Sequence, residues 1–213
     1  MKIKRSISEQ IFDDIVQKIR SREIRPGQRL IIKALENQYN VSSTPIRDAI
    51  NQLVYYGFVA LNGSMSSVVE MDLRQIKDIV DVNEELTAMS FHLLQLNGKL
   101  PELYEKMEPF YEVQLALKDA DSSERVRAFA DFCNIPGANT GNAYYLGMIE
   151  QLWGFSVVAF GDYTDVIDPD AALAASGEMM EALKRSDWEG FQRNRYFIIN
   201  SMRSFLARKM KEA

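Results

Sequence analysis

Over the first sixty residues the apolar positions recur at helical spacing in three short bursts. Ile11, Ile15 and Ile19 form one stripe, Ile32, Leu35 and Tyr39 a second, and Ile46, Ala49, Ile50 and Leu53 a third. Ser6 or Ser8 can cap the first helix, and Arg25-Pro26-Gly27 turns the chain after it. The connection Asn40-Val41 between the second and third helices has the length of a helix-turn-helix. Ser42 is placed to cap the third helix, so Pro45 falls in the first turn, where its missing N–H removes no internal hydrogen bond. The polar face of that helix then carries Ser43, Thr44, Arg47 and Asn51, groups able to hydrogen-bond phosphates and base edges.

Tyr55-Tyr56-Gly57 closes the third helix, with Gly57 suited to the left-handed position beyond its end. Two strands are predicted next, Phe58–Leu61 and Val68–Met71, on either side of a loop over 62–67. Such a hairpin after a helix-turn-helix is a wing. From Leu73 the period is helical only: Leu73, Ile76, Ile79/Val80, Asn83, Leu86 and Phe91 trace one long helix. Further helices are predicted over 101–119, 122–134, 142–160, 170–186 and 188–210. Turn signals separate them at Asn97-Gly98, Asp119-Ala120-Asp121, Pro136-Gly137, Asp168-Pro169 and Ser186-Asp187. The expected architecture is mainly α, with an N-terminal winged helix-turn-helix over 1–72 and an all-α helical bundle over 73–213.

Charge separates the same two parts. Residues 1–61 hold ten Lys and Arg against six Asp and Glu, while the rest of the chain carries a net −9 of the overall −5. A basic head on an acidic body suits a protein that presents one end to a polyanion. Lys2, Lys4 and Arg5 are not followed by an apolar segment, and no run approaches the roughly 18 apolar residues of a membrane span, so the cytoplasm is the expected location. The single cysteine, Cys133, excludes an internal disulfide and fits a reducing compartment.

Catalysis finds no foothold. Cys133 has no histidine near it in sequence, and there is no Gly-rich phosphate loop, nucleophile elbow or paired-histidine motif. Adjacent carboxylates such as Asp13-Asp14 and Glu84-Glu85 point in different directions on a helix, which suits solvation. The one histidine, His92, reads as a surface or core residue.

Several motifs together carry a family resemblance. Pro26-Gly27-Gln28-Arg29-Leu30, the helix to Tyr39, the run from Val41 to Ile50, and Leu53 with Gly57-Phe58-Val59 resemble the DNA-binding domain of GntR-family bacterial transcription regulators. The helical portion resembles the effector-binding domain of that family's FadR branch, through Phe132, Gly141-Asn142, the helix of Ile149 and Leu152, and Glu181-Ala182-Leu183 with Asp187. The resemblance implies a double-stranded DNA operator of inverted-repeat form, a homodimer, and a helical domain that binds effector and dimerises. It assigns DNA contacts to Lys33, to Arg47, and to Gly63 at the wing tip. Two departures stand out: Ser43 occupies a position where the family usually has arginine, and no Lys or Arg lies between Phe58 and Met71. With Ser42, Thr44 and Asn51 these make up the candidate DNA-binding set.

Many FadR-branch members hold a divalent metal through an aspartate and three histidines. The corresponding positions here fall on Phe129, Cys133, Ser176 and, at or near it, Ile198. No metal or other cofactor is therefore expected. The bundle could instead accept an apolar or amphipathic effector, with Asn83, Phe129, Cys133, Tyr144, Tyr145, Ser176, Arg195 and Tyr196 as candidate lining. Alternatively, the same residues pack a solid core. A second reading of the whole chain is a diverged interaction protein that keeps the winged-helix fold without binding DNA or an effector.

Overall fold

A computed structural model describes residues 5–212. Lys2 and Lys4, counted in the basic head, lie outside the described residues. The elements are α1 (Ile7–Arg20), α2 (Ile32–Tyr39), α3 (Ser43–Tyr55), β1 (Val59–Asn62), β2 (Met65–Val68), α4 (Leu73–Leu96), α5 (Leu103–Ala116), α6 (Ser122–Ala138), α7 (Ala143–Phe160), α8 (Pro169–Lys184), α9 (Trp188–Arg195) and α10 (Phe197–Glu212). The chain is thus mainly helical, a winged helix-turn-helix followed by helices alone. The described residues form two compact units, one made of residues 5–72 with Glu150–Gly161, the other of Leu73–Ile149 with residues 162–212.

The first unit is built on α1 and α3. Of the two candidate caps, Ser6 serves: its hydroxyl accepts from the Glu9 N–H at 3.2 Å, and its own N–H donates to the Glu9 carboxylate at 2.7 Å. Ile11, Phe12, Ile15, Val16 and Ile19 then face Ile46, Ala49, Ile50 and Leu53 of α3 in one core. Between α2 and α3, Asn40 takes the left-handed conformation (φ 50°, ψ 51°), which suits the short polar side chain and turns the chain tightly. Gly57 is left-handed as expected (φ +78°).

The wing is shorter than its sequence suggests, and its second strand lies earlier. Asn62 pairs with Met65 and Val59 with Val68, so only Gly63-Ser64 separates the strands. Gly63 (φ +61°) supplies the positive φ required at the first central position of such a turn, and pairing starts at once. Ser66 and Ser67 hid this strand from a hydrophobicity reading. Ser66 is buried because its hydroxyl donates to the Leu30 carbonyl (2.9 Å), while Val68 exchanges bonds with Gly27 and Gln28.

Glu150–Gly161, the later part of α7 and the glycine after it, complete this core. Val157 and Val158 are buried in it, and Trp153 stands edge-on to Phe58 at 4.9 Å and to Tyr56 at 5.9 Å.

One polar cluster ties α1 to α2. Asp14 accepts from Lys18 (2.7 Å) and from the Tyr39 hydroxyl (2.5 Å). Burial raises the pKa of the Asp14 carboxyl, but the bonds from Lys18 and Tyr39 and the charge of Lys18 outweigh it and leave the pKa below the ordinary range. Since the folded pKa is depressed, the stabilisation is present above the unfolded carboxyl value and is lost as pH falls through the folded one. Asp14→Asn should therefore melt below wild type at pH 7, and the gap should close on acidification below about pH 4. Thermal melts followed by circular dichroism would measure both; a gap that persists undiminished in acid would show that the carboxylate charge is not its source.

In the second unit, Asp121, Asp168 and Asp187 cap α6, α8 and α9 through their carboxylates. Leu94, Leu103, Met107, Phe132, Met179 and Phe191 pack one cluster, and Val126, Phe129, Ile167 and Ala172 another. α5 is shorter than the expected 101–119, and two further boundaries differ from expectation. α6 runs through Pro136-Gly137 to Ala138, because Pro136 lies in the last turn and is buried there. The single helix expected over 188–210 is two, α9 and α10, parted at Tyr196. Among the described residues no helix is long and apolar enough to cross a membrane.

Candidate nucleic-acid interface

The third helix divides cleanly into a buried and an exposed side. Ile46, Ala49, Ile50 and Leu53 are buried, whereas Thr44, Arg47, Asp48 and Asn51 are exposed and Ser43 is half-buried. Ser42 occupies the N-cap position (φ −71°, ψ 170°), but its hydroxyl makes no bond to the helix. That overturns the capping role expected of its side chain and leaves an exposed hydroxyl at the start of α3, where the free N–H groups of the first turn also lie.

Arg47 makes no ion pair among the described residues, and Glu36, one carboxylate that could have taken it, is bound by Lys33 at 3.0 Å. Lys33 keeps 81% of its side chain exposed in that pair. An exposed pair of this kind is worth at most about 1 kcal/mol, so a phosphate can compete for the ammonium. A Cβ on Gly63 would meet nothing within 4 Å, so glycine answers to backbone conformation rather than space. The wing around it is uncharged, and its Leu61 (54%) and Met65 (43%) are exposed.

The candidate effector residues separate into two groups. Phe129, Tyr145, Ser176 and Arg195 are buried in the second unit, and Cys133, half-buried, packs against both of its core clusters. Tyr144 does not join them: it is 89% exposed. Neighbours on a helix point about 100° apart, and here the rotation of α7 turns Tyr145 inward and Tyr144 out to solvent. Asn83 and Tyr196 are half-buried, and the Asn83 amide donates to the Ile79 carbonyl of its own helix.

Around the buried set are polar partners that periodicity could not single out. The Arg195 guanidinium donates to the Ser90 hydroxyl (2.6 Å), the Thr87 carbonyl (3.2 Å) and the Gln192 side-chain oxygen (3.1 Å). Ser176 donates to the side-chain oxygen of buried Gln114 (2.9 Å), whose amide nitrogen has no partner. The Tyr145 hydroxyl donates to the Leu86 carbonyl at 3.1 Å. Gln114 and Ser90 each interrupt an otherwise apolar inner face, which is the one hint the sequence offered.

These residues do not fit the family's metal. Phe129 offers no donor atom, the Ser176 hydroxyl is committed to Gln114, and Ile198 packs among apolar neighbours. Burial pushes the Cys133 thiol up to about 12, against a smaller downward pull from the Arg195 charge. Among the described residues no three His, Cys, Asp or Glu side chains gather into a metal-binding group.

Comparison with known proteins agrees with this arrangement. Residues 7–69 match the gntR family of bacterial regulatory proteins. The HTH-type transcriptional regulator McbR of Escherichia coli K12 is 27% identical over 190 residues, covering 87% of this chain and 86% of McbR. A solved structure of E. coli McbR/YncC, 25% identical, superposes with a TM-score of 0.69 over 97% of this chain and 100% of that one. A GntR transcriptional regulator from Rhodococcus sp. RHA1, 13% identical, shares the fold at a TM-score of 0.61 over 98% and 97% of the two chains. The helix-turn-helix and two-stranded wing over residues 7–69 are thus a gntR-family DNA-binding domain, and the chain as a whole, helical portion included, is similar in sequence and fold to the regulator McbR.

Proposed function

We propose that this chain acts in the cytoplasm as a homodimeric, DNA-binding transcription regulator, placing two α3 helices in successive major grooves of an inverted-repeat operator and responding to a small-molecule effector in the helical domain. The reading rests above all on α3. Its inner face is fully buried, and its outer face presents Ser42, Thr44, unpaired Arg47 and Asn51 beside Lys33 and the glycine-tipped wing. An aromatic core that also holds a buried guanidinium suits an amphipathic effector with an anionic end. Such an effector alters DNA affinity only insofar as it binds the two arrangements of the dimer with different free energy.

Selecting duplexes from a randomised pool with the full-length protein tests this. The enriched sites should be inverted repeats with half-sites one helical turn apart, and light scattering should give twice the chain mass. With Lys33 as the phosphate-contacting cation of each head and Arg47 reading a base, log affinity should fall against log salt with a slope of about −2 for the dimer. A different reading, an interaction protein that does not bind DNA, draws support from the uncharged wing with its exposed Leu61 and Met65. A monomer that retards every duplex equally, or none, would favour it.

A further inference from the structure

The fragment of chain between the recognition helix and the wing is held by residues almost a hundred positions away. Tyr56, Gly57 and Phe58 join α3, which ends at Tyr55, to β1, which starts at Val59. The Gly154 N–H donates to the Tyr56 carbonyl at 3.0 Å, so α7 gives a main-chain bond to this junction. The approach is as close as two backbones allow. A Cβ on Gly154 would overlap the Tyr56 carbonyl oxygen and come within 2.7 Å of the Gly57 carbonyl carbon and the Phe58 nitrogen; one on Gly57 would come within 2.6 Å of the Gln151 carbonyl. Glycine is thus required on both sides, and in mid-helix at Gly154, where it otherwise costs about 1 kcal/mol relative to alanine.

Two further contacts fix the same piece of α7. The Trp153 ring stands edge-on to both Tyr56 and Phe58, and the Arg20 guanidinium lies 5.6 Å from its centre. At the far end Arg22, held at φ +63°, donates to the Val158 and Ala159 carbonyls (2.6 and 2.9 Å), which are among the last of the helix. A left-handed arginine is an uncommon conformation, and here it serves to tie the end of α1 to the end of α7.

From these contacts we propose that Trp153, Gly154 and Arg22 are positioning residues of the DNA reader. They set the angle between α3 and the wing without touching DNA, and Trp153 and Gly154 extend the reader beyond the 7–69 stretch that carries the family match. The proposal rests on the DNA-binding reading above. Base readout needs donors placed within a few tenths of an ångström, so a small rotation at Tyr56-Gly57-Phe58 weakens contacts made by Arg47 and by the wing together.

The test uses the full chain carrying Gly154→Ala, with Trp153→Phe as the conservative replacement and Arg22→Gln as a milder second disruption. Against the duplex selected by wild type, Gly154→Ala should lose about tenfold in affinity and Arg22→Gln about threefold, while Trp153→Phe stays within about twofold. Stoichiometric titration should show a full active fraction, and the salt slope should be unchanged because no phosphate contact is removed. Unchanged affinity in both disrupting variants would overturn the proposal. So would a loss accounted for wholly by inactive protein, which would mark a folding defect rather than positioning. Hydrogen exchange of the free protein separates this outcome from failure of the DNA reading. Even if wild type binds no duplex, the Gly57, Phe58 and Val69 amides should exchange faster in Gly154→Ala while the α1 amides do not; equal exchange there would also overturn it.

Discussion

Arg47→Ala is expected to weaken dimer binding to the selected duplex roughly 30-fold or more and to relax the base preference at one position of each half-site, as loss of a bidentate guanidinium contact worth about 1–3 kcal/mol in each of two half-sites requires. The fold should be untouched. Arg47 is exposed, on the side of α3 opposite the core, and makes no ion pair among the described residues, so removing it leaves no buried group without a partner. Lys33→Ala provides the contrast. A lysine meeting a phosphate as a point charge should weaken all duplexes about equally and reduce the salt slope by about 2 for a dimer. Fluorescence anisotropy with matched and mutated half-sites, at three salt concentrations, reads both effects. If Arg47→Ala weakens every duplex alike and leaves the base preference intact, Arg47 is a backbone contact, and the specificity must come from Thr44, Asn51 or DNA shape. Because Ser43 supplies only a short, half-buried hydroxyl, no second guanidinium on α3 can mask the loss.

What could be read from the sequence was whatever short-range periodicity determines. Ile46, Ala49, Ile50 and Leu53 fix the buried side of α3, and hence its polar side, with no knowledge of what packs against it. Gly57 announces its left-handed turn by residue type alone. The wing was displaced because Ser66 is made strand-like by a partner thirty-six residues away, the Leu30 carbonyl, which no local pattern reveals. The end of α6 was misjudged because burial of Pro136 overrides the usual stop signal of Pro-Gly. Phe129, Ser176 and Arg195 all prove buried, but Tyr144 could not be told from Tyr145 without the rotation of α7. The contribution of Glu150–Gly161 to the head was invisible for a simpler reason. Gly154 is one glycine in an apolar helical run, and its significance lies entirely in the Tyr56 carbonyl it meets.

The second large effect is expected in α9, where Arg195→Met should raise rather than lower thermal stability. Arg195 is 6% exposed, and its three partners, Ser90, Thr87 and Gln192, are all neutral; no carboxylate lies within 4 Å of it among the described residues. Burial lowers its pKa, with nearby Tyr145 and Cys133 acting weakly in the opposite direction. A base whose pKa is depressed on folding subtracts stability at every pH where it is charged, which for arginine includes the whole working range. The loss of its hydrogen bonds is cushioned, because the Ser90 hydroxyl still donates to the Thr87 carbonyl at 2.8 Å and Gln192 sits at a partly exposed site. Methionine fills similar volume beside Phe191 without a charge to desolvate. By analogy with buried ionic groups replaced by apolar ones, the gain is about 1–4 kcal/mol, or roughly 2–16 °C in Tm for a chain of this length. The same variant should lose any thermal shift that a long-chain carboxylate produces in wild type, because the anion would face no cation. A fall in Tm would instead identify the guanidinium as a brace between α4 and α9. Stabilisation together with loss of the ligand shift is the pattern of a group retained for binding at a cost in stability, and it would place the effector's anionic end at Arg195.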